Sequence, residues 1–453
     1  MNSYSRKKEN LTGYVCAFIL LVLICFWLKN YRIESSWQQA GLLNLSVGAL
    51  MLSAHIIGKI VKIIYLPLIS GYILAGILAG PFMSGFLSTD MVGRLNLVND
   101  LALSLIALSA GGSLHLELLR KRILPIAFNI IFQSIFIFFL VFTFIKYLNE
   151  LFEFTKTISP AQMTAFGILL GVMAIARSPS SAIAIINECK AEGPFTDTVL
   201  SVIVAIDVLI IILFTIAMNI SQMLLAPNVE FAHAVFAVLF AEITLSILGG
   251  ALMGKGISLF IEYMKDEIPL PLCLFFLALG ISRLSMAISL FAEKSLGLSI
   301  HLEPLLICMS AGFFVQNFTR SGFFFSDSLS KISLPIYVLF FCVTGASLNL
   351  DAFFETWPLA FCLAGMRMFG IFSGSCLAGI LAGDPPKHNL TGWMGHITQA
   401  GVAIGLSQLV LRQFPEIGIY LSTVVLAVIC VNQIVGPVAF KAALYITGEA
   451  KSD

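Results

Sequence analysis

An all-α polytopic membrane protein of about 13–14 transmembrane helices, built as two inverted-topology repeats, is the fold class that this 453-residue sequence predicts. Three observations predict it. Hydrophobic residues make up 58% of the chain against 11% charged, with a mean hydropathy of +0.97, a composition outside the soluble globular range. Apolar runs of about 20 residues, each long enough to cross hydrocarbon, recur along its length. The sequence also resembles itself at a nearly constant offset.

That self-resemblance has three parts. LPLISGYILAGILAGP at 66–81 pairs with EPLLICMSAGFFVQNF at 303–318, offset 237, matching Pro67 with Pro304. SAGGSLHLE at 109–117 pairs with VTGASLNLD at 343–351, offset 234, matching Gly111 with Gly345 and Leu114 with Leu348. LPIAF at 124–128 then meets WPLAF at 357–361. Three successive matches at nearly one offset indicate a repeat. The third span pairs with the tenth, and an odd separation of seven spans inverts the second copy in the bilayer. Inverted repeats place a substrate site at their interface, near the midplane, on discontinuous helices.

Taken in order, the first apolar run, Leu11 to Leu28, follows Arg6, Lys7 and Lys8 and reads as a retained span, because no small-residue cleavage site follows it. It has no counterpart in the repeat. The predicted organisation is therefore an extra N-terminal transmembrane helix over 1–35, a first inverted repeat over 36–225, a linker helix over 226–265, a second inverted repeat over 266–447 and a short cytoplasmic tail over 448–453. GYILAGILAGP carries small residues at three- and four-residue spacing and reads as a close-packing face. Arg120, Lys121 and Arg122 mark a cytoplasmic loop. With the N terminus inside, sixteen Lys and Arg residues fall on the cytoplasmic side and eight outside, which puts both termini in the cytoplasm.

Two adjacent spans carry groups that a bilayer rejects. In GVMAIARSPSSAIAI the apolar run is interrupted by Arg177, Ser178, Pro179, Ser180 and Ser181, where proline removes a donor and frees a carbonyl. The next span, Thr196 to Ile220, has Asp207 at its middle, between VIVAI and VLIIILF. A carboxylate at that depth costs about 2.5–3.5 kcal/mol on insertion scales and marks a functional site by default. Either residue alone has a plainer reading, Pro179 as a packing kink and Asp207 as a protonated or ion-paired structural acid. An unwound segment with hydroxyls and free carbonyls beside a central acid is, together, how secondary transporters hold a cation. By the repeat, the partner of the break falls on GWMGHITQAGVAIGLS at 392–407, and the partner of the Asp207 span falls on VVLAVICVNQIVGP, with Asn432 and Gln433 at its middle.

Arg367, in CLAGMRMFGIFSG, is a permanent charge in mid-span that needs a carboxylate or several carbonyls; Asp207 or the negative end of an unwound half-helix would each serve. Glu242 and His396 lack such a context and read as secondary. The nine cysteines form no CxxC pair and lie mostly in apolar runs, so redox and metal chemistry, and any cofactor, are not expected. A net charge of +1 without a basic tract argues against nucleic acid. No local motif supplies a nucleophile, base and orienting group, so no enzyme activity is expected.

On these residues the chain resembles the monovalent cation:proton antiporter 2 family, the group containing bacterial sodium/proton antiporters and the membrane part of potassium efflux systems. The resemblance covers about residues 40 to 445 and rests on GYILAGILAGP, ARSPSSA followed by GPFTDTVLSVIVAIDV, GASLNL, Arg367 and QAGVAIGLS. It implies a sodium/proton antiporter-like fold with crossed broken helices, a homodimer and a bacterial inner membrane. It also implies that Asp207 is shared in turn by a proton and a monovalent cation, Na+ or K+. Ser178, Ser180 and nearby carbonyls would then supply oxygens, with Pro179 making the break. Thr398, Gln399 and Asn432 would complete the polar cage, and Arg177 and Arg367 would set its charge.

Two positions depart from the family pattern. Ile206 stands where many members place an acid or amide, and Arg177 stands in the break where sodium-transporting members commonly have a shorter polar residue. The sequence ends at Asp453, and nucleotide gating through a following cytoplasmic domain is not expected. Cation/proton exchange is the leading expectation. A potassium efflux carrier with channel-like flux, and a transport-inactive sensor in which Asp207 and Arg367 form a permanent ion pair, are the alternatives.

Overall fold

The computed structural model describes residues 38–63, 66–147, 159–225, 233–263, 270–296, 302, 304–348, 350–399 and 401–450. The extra N-terminal helix expected over 1–35 and the last three residues of the expected tail lie outside the described residues. Those described form helices and connecting turns, without a strand among them. In chain order the helices are α1 (Gln38–Ile63), α2 (Leu68–Ala79), α3 (Asn96–Ser113), α4 (Ile123–Tyr147), α5 (Pro160–Met173), α6 (Pro179–Cys189) and α7 (Pro194–Leu225). They continue as α8 (His233–Tyr263), α9 (Leu270–Leu296), α10 (Pro304–Phe318), α11 (Gly322–Ala346), α12 (Leu350–Ala382), α13 (Gly401–Gln413) and α14 (Pro415–Thr447). Short helices at Thr89–Arg94, Leu116–Lys121 and Pro386–Thr391, and a 3-10 turn at Gly392–His396, join them.

Among the described residues six helices are long and apolar enough to cross a membrane, or seven when the two parts of α11 count as one span. Several expected spans are shorter than 20 residues. α2 ends at Ala79 because Gly80 and Pro81 follow, and a residue before proline is driven out of the helical region. α11 is longer than its apolar run, which begins near Ile332: the helix starts at Gly322 and carries Pro335 inside it. The polar stretch FFFSDSLSK hides that turn of helix from a hydropathy reading.

The chain divides into two compact units, one formed by residues up to Leu103 with Leu329–Asn349, the other by Ser104–Ser328 with Leu350–Asp453. In the first unit α1 packs on α2. The backbones of α2 and α11 also come together there: a Cβ at Gly76 would run into the carbonyl oxygen of Cys342, and one at Gly345 into that of Ile73. The second unit contains the same arrangement between α3 and α10, where a Cβ at Gly111 would strike the Met309 carbonyl and one at Gly312 the Leu108 carbonyl. Gly111 and Gly345 are the residues matched by the internal repeat, and Gly76 falls within one residue of Gly312 at the repeat's offset. Each seam therefore joins a helix from the first half of the chain to one from the second.

Because the collisions at these glycines are with backbone, no side-chain adjustment makes room for a Cβ. Gly111→Leu and Gly345→Leu are each expected to lower stability by about 1–3 kcal/mol or more through overpacking. Gly249 of α8 has nothing within 4 Å of its Cβ position, and Gly249→Ala is expected to gain up to about 1 kcal/mol of helix propensity. Thermal melts of the purified protein in detergent check both signs.

Candidate functional site

The second unit holds two helices that stop and restart. α5 opens with a capping box, Ser159 with Gln162, and Pro160 as its first residue. It ends at Met173. Two tight turns follow, from Ile175 N–H to the Val172 carbonyl and from Ala176 N–H to the Met173 carbonyl. Pro179 cannot extend a preceding helix, but its fixed φ suits the first position of a new one. α6 accordingly starts there, with Ser178 as N-cap and its Oγ accepting from Ser181 N–H. The second interruption runs from the 3-10 turn Gly392–His396 through Ile397–Gln399, which are not helical, to α13 at Gly401. The two breaks touch: Ser178 N–H donates to the Thr398 carbonyl at 3.0 Å.

Breaking two helices leaves carbonyls without intrahelical donors. Arg367, fully buried on α12, meets four of them. Its Nε donates to the Ala174 carbonyl at 2.7 Å, Nη1 to that of Ile397 at 2.6 Å, and Nη2 to those of Ala176 at 2.9 Å and His396 at 3.4 Å. Two acceptors come from each break, so a single guanidinium staples them together. Of the two partners weighed from sequence, the carbonyl ends of the half-helices are the ones these bonds use.

Arg177 lies in the first break and is also buried. Its Nη1 donates to the His396 carbonyl at 3.0 Å, and its Nη2 donates to Gln133 Oε1 on α4 at 2.6 Å. Gln133 Nε2 donates to Asn129 Oδ1 at 2.6 Å, and Asn129 Nδ2 to the Pro125 carbonyl at 2.8 Å. Asn129 and Gln133 had drawn no attention in the sequence; two amides four residues apart in the apolar run PIAFNIIFQSIF were the signal that marks them. Gly374 of α12 lies against the Gln133 backbone, where a Cβ would meet Gln133 Cα, so the two helices that carry these anchors pack closely.

Gln399, Asn432 and the serines assemble around the same crossing. Gln399 Nε2 donates to the Met173 carbonyl at 2.9 Å, and Asn432 Nδ2 on α14 donates to Gln399 Oε1 at 3.0 Å. The Ser178 Oγ lies 3.0 Å from both Ser180 Oγ and Ser181 Oγ, and Ser181 Oγ donates to Gln433 Oε1 at 3.3 Å. Thr398 Oγ1 and Asn432 Oδ1 are buried oxygens without a hydrogen-bond partner among the described residues. Asp207 sits on α7, partly buried, with Ile206 fully buried beside it. His396, likewise buried, lies in the field of both guanidiniums.

Two discontinuous helices meeting inside a set of membrane-length helices, pinned by a buried arginine, define a multi-pass membrane protein of the transporter class. The family model described as "Sodium/hydrogen exchanger, transmembrane" matches residues 47–444. The chain belongs to that family, in agreement with the resemblance to monovalent cation:proton antiporters. Two solved structures of the sodium proton antiporter MjNhaP1 from Methanocaldococcus jannaschii share its fold. One, determined at pH 8, has a TM-score of 0.64 at 16% identity over 90% of this chain and 97% of that one. The other, from electron microscopy, has a TM-score of 0.69 at 15% identity over 93% and 100%. At these identities the likeness is one of fold. Comparison with curated protein sequences returned no match.

Proposed function

We propose that this protein exchanges a monovalent cation, Na+ or K+, for protons, with Asp207 as the carboxylate that each ligand occupies in turn. The observation that carries the reading is the contact between the two breaks, Ser178 to Thr398, in the same unit as the helix bearing Asp207 and stapled by Arg367. Membership of the exchanger family supports it. One carboxylate cannot hold both ligands, so binding of one expels the other and the fluxes are coupled. Hydroxyl and amide oxygens suit a hard cation, and Thr398 Oγ1 and Asn432 Oδ1 have no hydrogen-bond partner among the described residues. Ser178 and Ser180 offer hydroxyls on the other break. The carbonyls of Ala174, Ala176, His396 and Ile397 already receive Arg367 and contribute charge balance. The homodimer, the bacterial inner membrane, the cytoplasmic termini and the division into two inverted repeats joined by a linker helix belong to the same reading.

The test uses sealed vesicles containing a trapped pH dye and the purified chain. A proton gradient is imposed, then sodium, potassium or lithium is added outside. The parent is expected to collapse the gradient with at least one cation, and Asp207→Asn to collapse it with none. A folded parent that moves no protons with any cation across a broad pH range would overturn exchange. Proton-independent cation flux would instead indicate the channel-like carrier.

A further inference from the structure

α7, the helix that carries Asp207, begins without a cap of its own. Its first residue is Pro194 and the residue before it is Gly193, which has no side chain to offer the free N–H groups of the first turn. The cap comes instead from the turn after α14. Glu449 Oε1 accepts from Phe195 N–H at 2.8 Å, while Oε2 accepts from Thr196 N–H at 2.7 Å and from Thr196 Oγ1 at 2.8 Å. The Glu449 carbonyl also receives Glu192 N–H at 3.2 Å. Gly448, at φ +80°, ends α14 in the left-handed region and turns the chain so that Glu449 reaches α7. Gly193 has φ +155°, and a Cβ there would land on the Glu449 carboxylate. The glycine's missing side chain is the space the glutamate fills.

A second tie lies alongside: Lys441 Nζ of α14 meets Glu188 Oε1 of α6 at 2.9 Å, both side chains largely buried. α14 is thus bonded to both breaks at its middle, through Asn432 to Gln399 and through Gln433 to Ser181, and to the start of α7 at its end. Along α7, Asp207 lies eleven residues beyond Thr196, or about 17 Å at ~1.5 Å per residue. A helix of that length behaves as a rod, so fixing its first turn fixes the height of the carboxylate.

We propose that Glu449 is a positioning residue for the ion site, a latch that sets the place of Asp207 relative to the two breaks by capping α7 from the end of α14. The inference rests on Asp207 being the exchanging carboxylate. It assigns control of apparent cation affinity to a contact at the helix end, remote from the ion. Carboxylate capping at a helix N-terminus is also favoured by the helix dipole, so a neutral substitute holds α7 less firmly.

The experiment measures exchange in vesicles against cation concentration for the parent, Glu449→Gln, Glu449→Ala, Gly193→Ala and the double variant Gly193→Ala/Glu449→Ala, with thermal melts in parallel. Glu449→Ala is expected to raise KM about tenfold, within the range of couplings between distant sites, and to change the maximal rate far less. Glu449→Gln, whose single oxygen can still accept, is expected to fall between parent and Glu449→Ala. Gly193→Ala evicts the same carboxylate and also strains the backbone at φ +155°, so it is expected to raise KM at least as much as Glu449→Ala, and the double variant should be no worse than Gly193→Ala alone. An unchanged KM in Glu449→Ala, with a lowered melting temperature alone, overturns the positioning role and leaves a plain cap. Additive effects in the double variant overturn it too. A parent without exchange sinks the cation-exchange reading, and this role with it, whereas a parent that exchanges alongside an indifferent Glu449→Ala sinks only the latch.

Discussion

Arg367→Met is expected to abolish the folded crossing. The guanidinium provides the Ala174, Ala176, His396 and Ile397 carbonyls with donors in a region from which water is excluded. Methionine fills much of the volume and provides none. A buried polar group left unpaired costs about 1–3 kcal/mol, so four together threaten a stability that for whole domains is only about 5–15 kcal/mol. Arg367→Lys should be intermediate, since an ammonium has three donors on a flexible stem and no planar fork to span two breaks. Thermal melts monitored by size-exclusion chromatography should rank parent above Lys above Met. A Met variant that melts with the parent would show that the breaks hold each other without the staple.

Arg177→Gln is expected to tighten cation binding. Arg177 and Arg367 place two permanent positive charges at the crossing, each bonded to the carbonyls of the breaks, so an arriving cation meets repulsion. Removing one unit charge beside the site is worth on the order of 1 kcal/mol in an effective dielectric near 20, and KM for the transported ion should fall several-fold. Some stability is lost in the exchange, because the His396 carbonyl and Gln133 Oε1 lose a charged donor. Gln133→Leu removes the anchor and leaves the charge, so it should destabilise without the fall in KM. Exchange assays against cation concentration separate the two, and an unchanged KM in Arg177→Gln would remove Arg177 from the electrostatics of the site.

Much of the crossing was legible in the sequence because a bilayer makes polar residues conspicuous. Pro179 with its serines, Asp207 and Arg367 each break an apolar run, and the repeat pointed to 392–407 as the second break. What Arg367 binds was not legible: its acceptors are backbone carbonyls, which every residue has, and only the folded chain shows which ones lost their donors. Asn129 and Gln133 are uncharged and sit in a segment whose mean hydropathy stays at 2.3, with no repeat match to single them out. Glu449 lay beyond the last span in what read as a solvated tail, and its role depends on an absence, the bare Gly193, some 250 residues earlier. The start of α11 is hidden in the sequence because its first turns are polar enough to resemble a loop.

The paired glycine seams also constrain the order in which the protein can be completed. Each seam needs one helix from each half, and the two partners are separated by roughly two hundred residues or more of chain. During synthesis the bare faces of Gly76 and Gly111 therefore enter the bilayer long before Cys342 and Met309 exist to cover them. Until then lipid stands in for the missing helix. Without interlocking side chains to trap a wrong register, these faces can wait, and the first half of the chain becomes a mould that only the second half completes.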